Sequence, residues 1–180
     1  MTLLDEPHAA MAGAPPTFLE IPTFAALLAF RRTPADVVLL EVGLGGRLDA
    51  TNVIEHPATT VITPVAMDHM GYLGETLALI AAEKAGILKP GVAAIIARQT
   101  PAAAAVIEAR ANAIGAPLRR FDKEWRVAET ATGFTFEGQY WHHDLPRPAL
   151  LGHHQIENAG TALATLEPLE IFKVAPAAIA

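Results

Sequence analysis

Three segments of the sequence carry residue types that could bind a divalent cation or a phosphate. Residues 41–52 read EVGLGGRLDATN and join Glu41 to a glycine-rich stretch, while residues 68–69 are Asp-His and residues 83–87 read EKAGI. Carboxylate oxygens and imidazole nitrogens are common ligands of divalent cations. The glycines would let the backbone approach a bound ligand closely. These segments therefore hold the candidate functional residues.

Each candidate also has an ordinary structural interpretation. A glutamate at a strand end is often a cap or a surface residue, and an isolated Asp-His pair serves a structural hydrogen bond as readily as a metal ion. Lys84 suits the end of a helix, where the dipole favours a cation. The stretch GLGGRL at 43–48 lacks the last glycine of the dinucleotide fingerprint, and the 180 residues contain no P-loop Gly-Lys-Ser/Thr. The residue types alone predict an α/β domain in which a metal site is one open interpretation.

Short apolar runs predict the strands that must position these segments. The runs lie at residues 37–40, 59–63 and 93–97, and the first is typical of a strand buried on both faces of a parallel sheet. Glu41 follows the first run, and Asp68-His69 comes after the second. Because ligands of open α/β sheets bind outside the carboxyl ends of the strands, we expect these side chains at one edge of the sheet.

Helical patterns alternate with these runs and then give way to hairpins. Helices are predicted at residues 18–30, 75–84, 101–114 and 155–166, with Gly115 ending the third. Antiparallel hairpins are predicted near residues 125–129 and 133–141. The fold class expected from this order is α/β, with a mostly parallel sheet flanked by helices and some antiparallel strands. Residues 1–16 are predicted to be a loose lead-in.

Composition excludes several classes of protein. Hydrophobic residues make up 52% and charged residues 18%, which is unlike a disordered chain. The net charge of −6 and the isolated Arg31-Arg32 and Arg119-Arg120 pairs argue against nucleic-acid binding. No cysteine is present, so disulfides and thiolate metal sites are excluded. With no membrane span or signal peptide in the sequence, we expect a cytoplasmic protein without a membrane partner.

The order of motifs resembles one known family. EVGLGGRLDATN, DH, LGETL, EKAGILKPG and HHQIENA follow one another between residues 17 and 172, as in the folylpolyglutamate and dihydrofolate synthases of the Mur-ligase superfamily. The resemblance implies an ATP-dependent ligase with a Mur-ligase-type central ATPase domain. Such an enzyme phosphorylates a substrate carboxylate, and an amino group then attacks the acyl phosphate. The implied substrates are dihydropteroate or a folate, L-glutamate and ATP, and the implied cofactor is Mg²⁺.

The resemblance also implies roles for individual residues. Glu41 and His69 match magnesium ligands of the family, and Lys84 matches a lysine that is carbamylated by carbon dioxide. Carbamylation makes chemical sense, because an ammonium repels magnesium whereas a carbamate oxygen coordinates it. These three residues are therefore the implied catalytic and metal-binding set.

Four further residues are implied to bind substrates. Asp49 matches the pterin-contacting aspartate of the family, and Arg47 supplies a local positive charge beside it. Asn158 matches an asparagine near the adenine, and His154 lies four residues earlier on the same helix face. Capping of a turn is the alternative role for Asp49.

The chain departs from the family at both ends. The P-loop that should precede residue 18 and the C-terminal ligase domain are absent from these 180 residues. We therefore expect residues 1–180 to be a partial, incomplete central domain that is inactive alone, from a parent enzyme that is monomeric. The alternatives are a non-catalytic relic domain and a Rossmann-type nucleotide-binding domain.

Overall fold

The computed structural model describes residues 17–169, 172, 174–175 and 178–179. The predicted lead-in at residues 1–16 lies outside the described residues. The chain divides into two compact units, Met1–Glu55 and His56–Ala180. No helix within the described ranges is both long and apolar enough to cross a membrane.

The first unit contains one long helix and a glycine-rich loop. Helix α1 spans Glu20–Arg32, with Glu20 in its first turn and two arginines in its last, which suits the helix dipole. It confirms the helix predicted from residue 18. The loop that follows residue 41 ends in a short 3₁₀ helix, Ala50–Val53.

The prediction of a strand at residues 37–40 is wrong. These residues have no regular secondary structure, and their side chains are exposed: Val37 50%, Val38 41%, Leu39 89% and Leu40 37%. A strand exists only where its backbone N–H and C=O groups pair with a neighbour. The described residues of the first unit, 17–55, form no strand that could provide such a partner. Glu41 therefore follows an exposed segment without regular secondary structure rather than a buried strand.

The second unit is built on a three-stranded parallel sheet. Strands β1 (Thr60–Ile62), β2 (Ala94–Ile96) and β3 (Leu118–Arg120) lie in the order β1-β2-β3. The register pairs Ile62 with Ile96 and Ile96 with Arg120, so all three strands end at one edge. The first two strands confirm predictions. The third was missed, because a Leu-Arg-Arg strand has neither an apolar run nor a clear alternation.

Helices connect the strands of the parallel sheet. Short helix α2 (Met70–Leu73) and helix α3 (Leu77–Ala85) follow β1, and helix α4 (Pro101–Ile114) follows β2. The Thr100 hydroxyl caps α4, Pro101 occupies its first turn, and Gly115 ends it with φ 70°. The helix predicted from the sequence over 101–114 is thereby confirmed.

The chain then forms an antiparallel sheet and a last helix. Strands β4 (Arg126–Glu129), β5 (Gly133–Glu137) and β6 (His142–Pro146) pair in sequence order. Helix α5 spans His154–Leu166. Both the hairpins and the helix confirm predictions, and so does the α/β fold class with its mixed strand directions.

Two hydrophobic clusters lie on opposite faces of β2. Ala94 and Ile96 pack with side chains of α3 and α4, including Ile80 and Ile107. Ile95 points the other way, into a cluster that includes Trp125 and Phe136 with residues of α5. All three residues of β2 are at most 3% exposed. This strand is thus buried on both faces, as a parallel sheet requires.

Candidate functional site

The glycine-rich loop of the first unit folds around Asp49. Carboxylate oxygen Oδ2 accepts hydrogen bonds from the backbone N–H groups of Gly43 and Leu44, each at 3.0 Å. Oxygen Oδ1 accepts from the Thr51 N–H at 2.9 Å and from the Thr51 hydroxyl at 2.6 Å. An ionised carboxylate offers about four lone-pair sites, so the loop itself uses this capacity. Asp49 therefore both closes the loop and caps the 3₁₀ helix.

These contacts also set the ionisation of Asp49. Partial burial of the carboxyl raises its pKa, but the hydrogen bonds from Thr51, Leu44 and Gly43 together lower the pKa by more than burial raises it. The pKa therefore lies below its ordinary value, and the group is a carboxylate at neutral pH. A negative charge is fixed at the centre of the loop.

Two glycines let the loop close tightly. Gly45 and Gly46 have φ of 69° and 150°, which side chains with a Cβ rarely adopt. Both are buried, and the C=O of Gly46 accepts from the N–H of Asp49 at 3.2 Å. The Asn52 side chain adds a bond to the C=O of Arg47 at 3.1 Å. Arg47 and Glu41 themselves are exposed on this unit.

His69 lies in the second unit, beyond the carboxyl end of β1. It is the N-cap residue of α2 and adopts left-handed backbone angles, φ 49° and ψ 37°. Its N–H donates to Asp68 Oδ1 at 2.7 Å, and its ring Nε2 lies 3.5 Å from Asp68 Oδ2. Non-glycine residues in this backbone region cost about 1–3 kcal/mol and cluster at functional sites. The imidazole is 56% exposed, so it is available to a ligand.

Lys84 lies in the last turn of α3. It is half-buried, and the neighbouring Ala85 is fully buried in the cluster against the parallel sheet. The Thr76 hydroxyl caps the start of this helix by accepting from the Leu79 N–H at 3.3 Å. Packing at one end and capping at the other hold the helix that carries Lys84.

His154 and Asn158 both lie in the first turns of α5. A chain of side-chain contacts joins them, because Asn158 Nδ2 donates to Gln155 Oε1 at 3.1 Å and Gln155 Nε2 lies 3.2 Å from His154 Nε2. All three side chains are accessible on the surface of the second unit. The prediction that His154 and Asn158 share one helix is confirmed.

The seven predicted site residues are thus divided between the two units. Glu41, Arg47 and Asp49 belong to the first, whereas the second carries the other four: His69, Lys84, His154 and Asn158. Within the described ranges, no three His, Asp or Glu side chains are grouped closely enough to hold a metal ion. The shared magnesium site of Glu41, His69 and a carbamylated Lys84 stays a prediction.

The sequence did not single out the residues that follow β2 and β3. Arg98, Gln99 and Asp122 leave the same edge of the sheet as the segment that carries His69. They line a cleft of about 220 Å³ beside α4 and β3. Their only sequence signal is their position directly after a strand, and the strand before Asp122 was itself unpredicted.

Residues 11–166 match the Mur ligase middle domain. The chain belongs to this family. It is 39% identical over 93% of its length to the dihydrofolate synthase/folylpolyglutamate synthase of Mycobacterium tuberculosis, and 39% identical over 76% to the folylpolyglutamate synthase of Lacticaseibacillus casei. The resemblance found in the sequence is therefore confirmed.

A solved structure of the same family shares the fold. Escherichia coli FolC in complex with DHPP and ADP superposes with a TM-score of 0.88 and 35% identity over 98% of the chain. The chain spans 41% of that structure, 37% of the mycobacterial relative and 33% of the Lacticaseibacillus relative.

The glycine loop of this Mur ligase domain differs from a Rossmann fingerprint. That fingerprint needs a strand before the glycines and a helix that opens directly after them. Here residues 37–40 form no strand, and the loop leads into the 3₁₀ helix Ala50–Val53. The Rossmann alternative is not supported.

Proposed function

We propose that the chain forms part of the central domain of a cytoplasmic ATP-dependent ligase that adds L-glutamate to dihydropteroate or to folates. The observation that carries this proposal is the likeness to Escherichia coli FolC bound to DHPP and ADP, over 98% of the chain. The motif EVGLGGRLDATN, intact at residues 41–52, supports the same branch of the family. Because the chain spans 41% of that structure, we expect the 180 residues to be inactive alone.

The residues present fit a divalent cation in their chemistry. His69 offers an exposed imidazole, and the strained backbone at this residue is supported by Asp68. Glu41 offers an exposed carboxylate, and Lys84 becomes an oxygen ligand once it is carbamylated. We assign these three side chains to Mg²⁺. The ion, when bound, would offset the charge of the phosphates during phosphoryl transfer.

The chain's other residues bind and orient the substrates in this proposal. Asn158 and His154 present amide and imidazole groups on one exposed helix surface, which suits the edge of an adenine base. Arg47 places a cation in the loop that Asp49 closes, next to the region assigned to the pterin. The lone pairs of Asp49 already accept four hydrogen bonds, so direct pterin recognition requires exchange of at least one of them.

The test uses the protein as its complete open reading frame encodes it, with the 180-residue chain beside it. Phosphate release is measured with ATP, magnesium, glutamate and either dihydropteroate or a folate. We expect turnover by the protein from a longer frame and none by the 180 residues. A long frame without turnover would favour the relic domain, and turnover by the 180 residues alone would refute their expected inactivity.

Lys84→Ala sharpens the assignment. We expect this variant of the active protein to lose at least about 100-fold in kcat, the scale for one removed electrostatic group. Added acetate or formate should restore part of the rate, because a free carboxylate can replace the carbamate oxygen. Lys89→Ala, a lysine four residues past the end of α3, is the matched control and should stay active. Full activity of Lys84→Ala would remove this lysine from the metal site.

A further inference from the structure

Two consecutive residues after β2 contact the segments that follow both neighbouring strands. β2 is the middle strand of the parallel sheet, so its end lies between the ends of β1 and β3. Arg98 and Gln99 leave β2 at this point, one directed to each side. Neither residue belongs to the set assigned to substrates or metal.

Gln99 fastens the segment after β1. Its Nε2 donates to the C=O of Thr63 at 2.9 Å, and its Oε1 accepts from the N–H of Val65 at 3.1 Å. The side-chain amide thus copies the donor and acceptor of a strand residue and extends the β1–β2 ladder beyond Ile62. Val65 is only 5% exposed, so its N–H depends on this acceptor. The fastened segment leads directly to Asp68 and His69.

Arg98 fastens the segment after β3 to helix α5. Its Nε donates to Glu157 Oε1 at 2.9 Å, and its Nη1 donates to Asp122 Oδ2 at 3.1 Å. The guanidinium lies 4.0 Å from the ring centroid of Phe121, which holds its plane. Glu157 stands in the first turn of α5, between His154 and Asn158. The Arg98 guanidinium therefore contacts the turn of α5 that carries His154 and Asn158.

We propose that Arg98 and Gln99 form a positioning pair that sets the candidate metal loop and the candidate nucleotide helix from one strand end. Gln99 orients the loop that carries His69, and Arg98 orients the turn that carries His154 and Asn158. The reading of these targets as metal and nucleotide residues rests on the proposed function. Arg98 is 53% exposed, but its guanidinium contacts two carboxylates and the Phe121 ring together, and such a network contributes more than an isolated exposed ion pair.

The pair is tested by amide hydrogen exchange in the protein as its complete reading frame encodes it. Gln99→Met should speed exchange over residues 65–69 by about five- to tenfold, the effect of losing one or two hydrogen bonds of ordinary net strength. Residues 154–160 should not change. Arg98→Met should speed exchange over residues 154–160 and leave residues 65–69 unchanged. Arg98→Lys should recover part of the slow wild-type exchange over residues 154–160, because a lysine can keep one of the two ion pairs.

Lys123→Met is the matched control. Lys123 is also 53% exposed, and its side chain pairs with Glu108 of α4 at 2.9 Å rather than with residues 65–69 or 154–160. It should leave exchange unchanged over both ranges. Thermal melts of Arg98→Met and Lys123→Met should stay near wild type, because both side chains are half exposed. Gln99→Met should melt below wild type, because the buried N–H of Val65 loses its acceptor.

Ligase kinetics separate positioning from simple support. Gln99→Met should raise the magnesium concentration for half-maximal rate by about fivefold, while Arg98→Met should raise KM for ATP about fivefold with kcat nearly unchanged. The proposal would be overturned if either Gln99→Met or Arg98→Met sped exchange over both residues 65–69 and residues 154–160. An equal fall of kcat in the two variants would overturn it as well, because the two contacts would then not act separately. A wild-type protein without ligase activity would refute the proposed function, and the exchange patterns would then decide the positioning pair by themselves.

Discussion

Two apolar segments of similar composition differ in secondary structure and burial between the two units. Residues 37–40 of the first unit read Val-Val-Leu-Leu, yet they form no strand and Leu39 is 89% exposed. Ala94–Ile96 of the second unit forms β2, with a paired strand on each side and Ile95 fully buried. An apolar run therefore becomes a strand only where neighbouring strands pair with its backbone and helices cover its faces.

The units also use their carboxylates differently. Asp49 organises a loop within the first unit through partners no more than six residues away. Glu167 joins distant parts of the second unit, because Arg119 Nη1 and three successive N–H groups, those of Gln139, Tyr140 and Trp141, all donate to it. Its side chain is 2% exposed. The first unit depends on local contacts and the second on long-range ones.

The largest expected effect is at Glu167. Glu167→Ala leaves the Arg119 guanidinium and three backbone N–H groups without their acceptor, which should lower the free energy of unfolding by about 3–5 kcal/mol. For the 180-residue chain, urea unfolding followed by tryptophan fluorescence measures the second unit, because the two tryptophans of these residues, Trp125 and Trp141, belong to it. Glu167→Gln keeps the shape and one acceptor and should cost less. Equal stability of Glu167→Ala and wild type would contradict the long-range role.

Ile95→Ala tests the burial of the middle strand. The side chain is 0% exposed between strands and α5, so its removal leaves a cavity and should cost about 2–5 kcal/mol. The same fluorescence-detected unfolding gives the value. A cost below that of an exposed substitution would mean that β2 is not the centre of the second unit.

Asp49→Ala tests the local organisation of the first unit. Loss of the cap and of the loop contacts should cost about 0.5–2 kcal/mol in the loop and leave the tryptophan-detected transition in place. Amide exchange at residues 43–52 is the measurement. Rapid exchange in both units would show that the loop carries more than local stability.

The ionisation of Asp49 makes the stability of the wild-type loop depend on pH. The folded pKa is lower than the ordinary value of about 3.9, so the carboxylate stabilises the loop above that pH. The contribution is lost as the pH falls through the lowered pKa. Protection of the loop amides, measured relative to their intrinsic exchange rate at each pH, should therefore fall in strong acid in the wild type, whereas Asp49→Asn should show no such step.

The smallest effect is expected at Leu39. Leu39→Ala removes a side chain that is 89% exposed, and such substitutions change stability by about 0.5 kcal/mol or less. Paired with Ile95→Ala, it compares two apolar runs directly. A cost of about 2 kcal/mol or more in unfolding experiments would show that residues 37–40 are buried in solution.

The elements whose signals are local could be predicted from the sequence. Pro101 and Gly115 mark the two ends of α4, and the β-branched run around Val61 marks β1, because turns, caps and short-range patterns act through neighbouring backbone groups. The family was also readable in the motifs, since a twelve-residue run at 41–52 is specific without any structure.

Which of these segments contact one another depends on the packing of distant elements. Strand β3 depends on pairing with β2 rather than on its own Leu-Arg-Arg sequence, and residues 37–40 lack such a pairing despite a stronger pattern. The contacts of Gln99 with Thr63 and Val65 span at least 34 residues, and those of Glu167 with Arg119 span 48. Hydrogen bonds between distant residues leave no periodic signal in the sequence. They depend on how the helices and strands pack together and not on the local sequence around each partner.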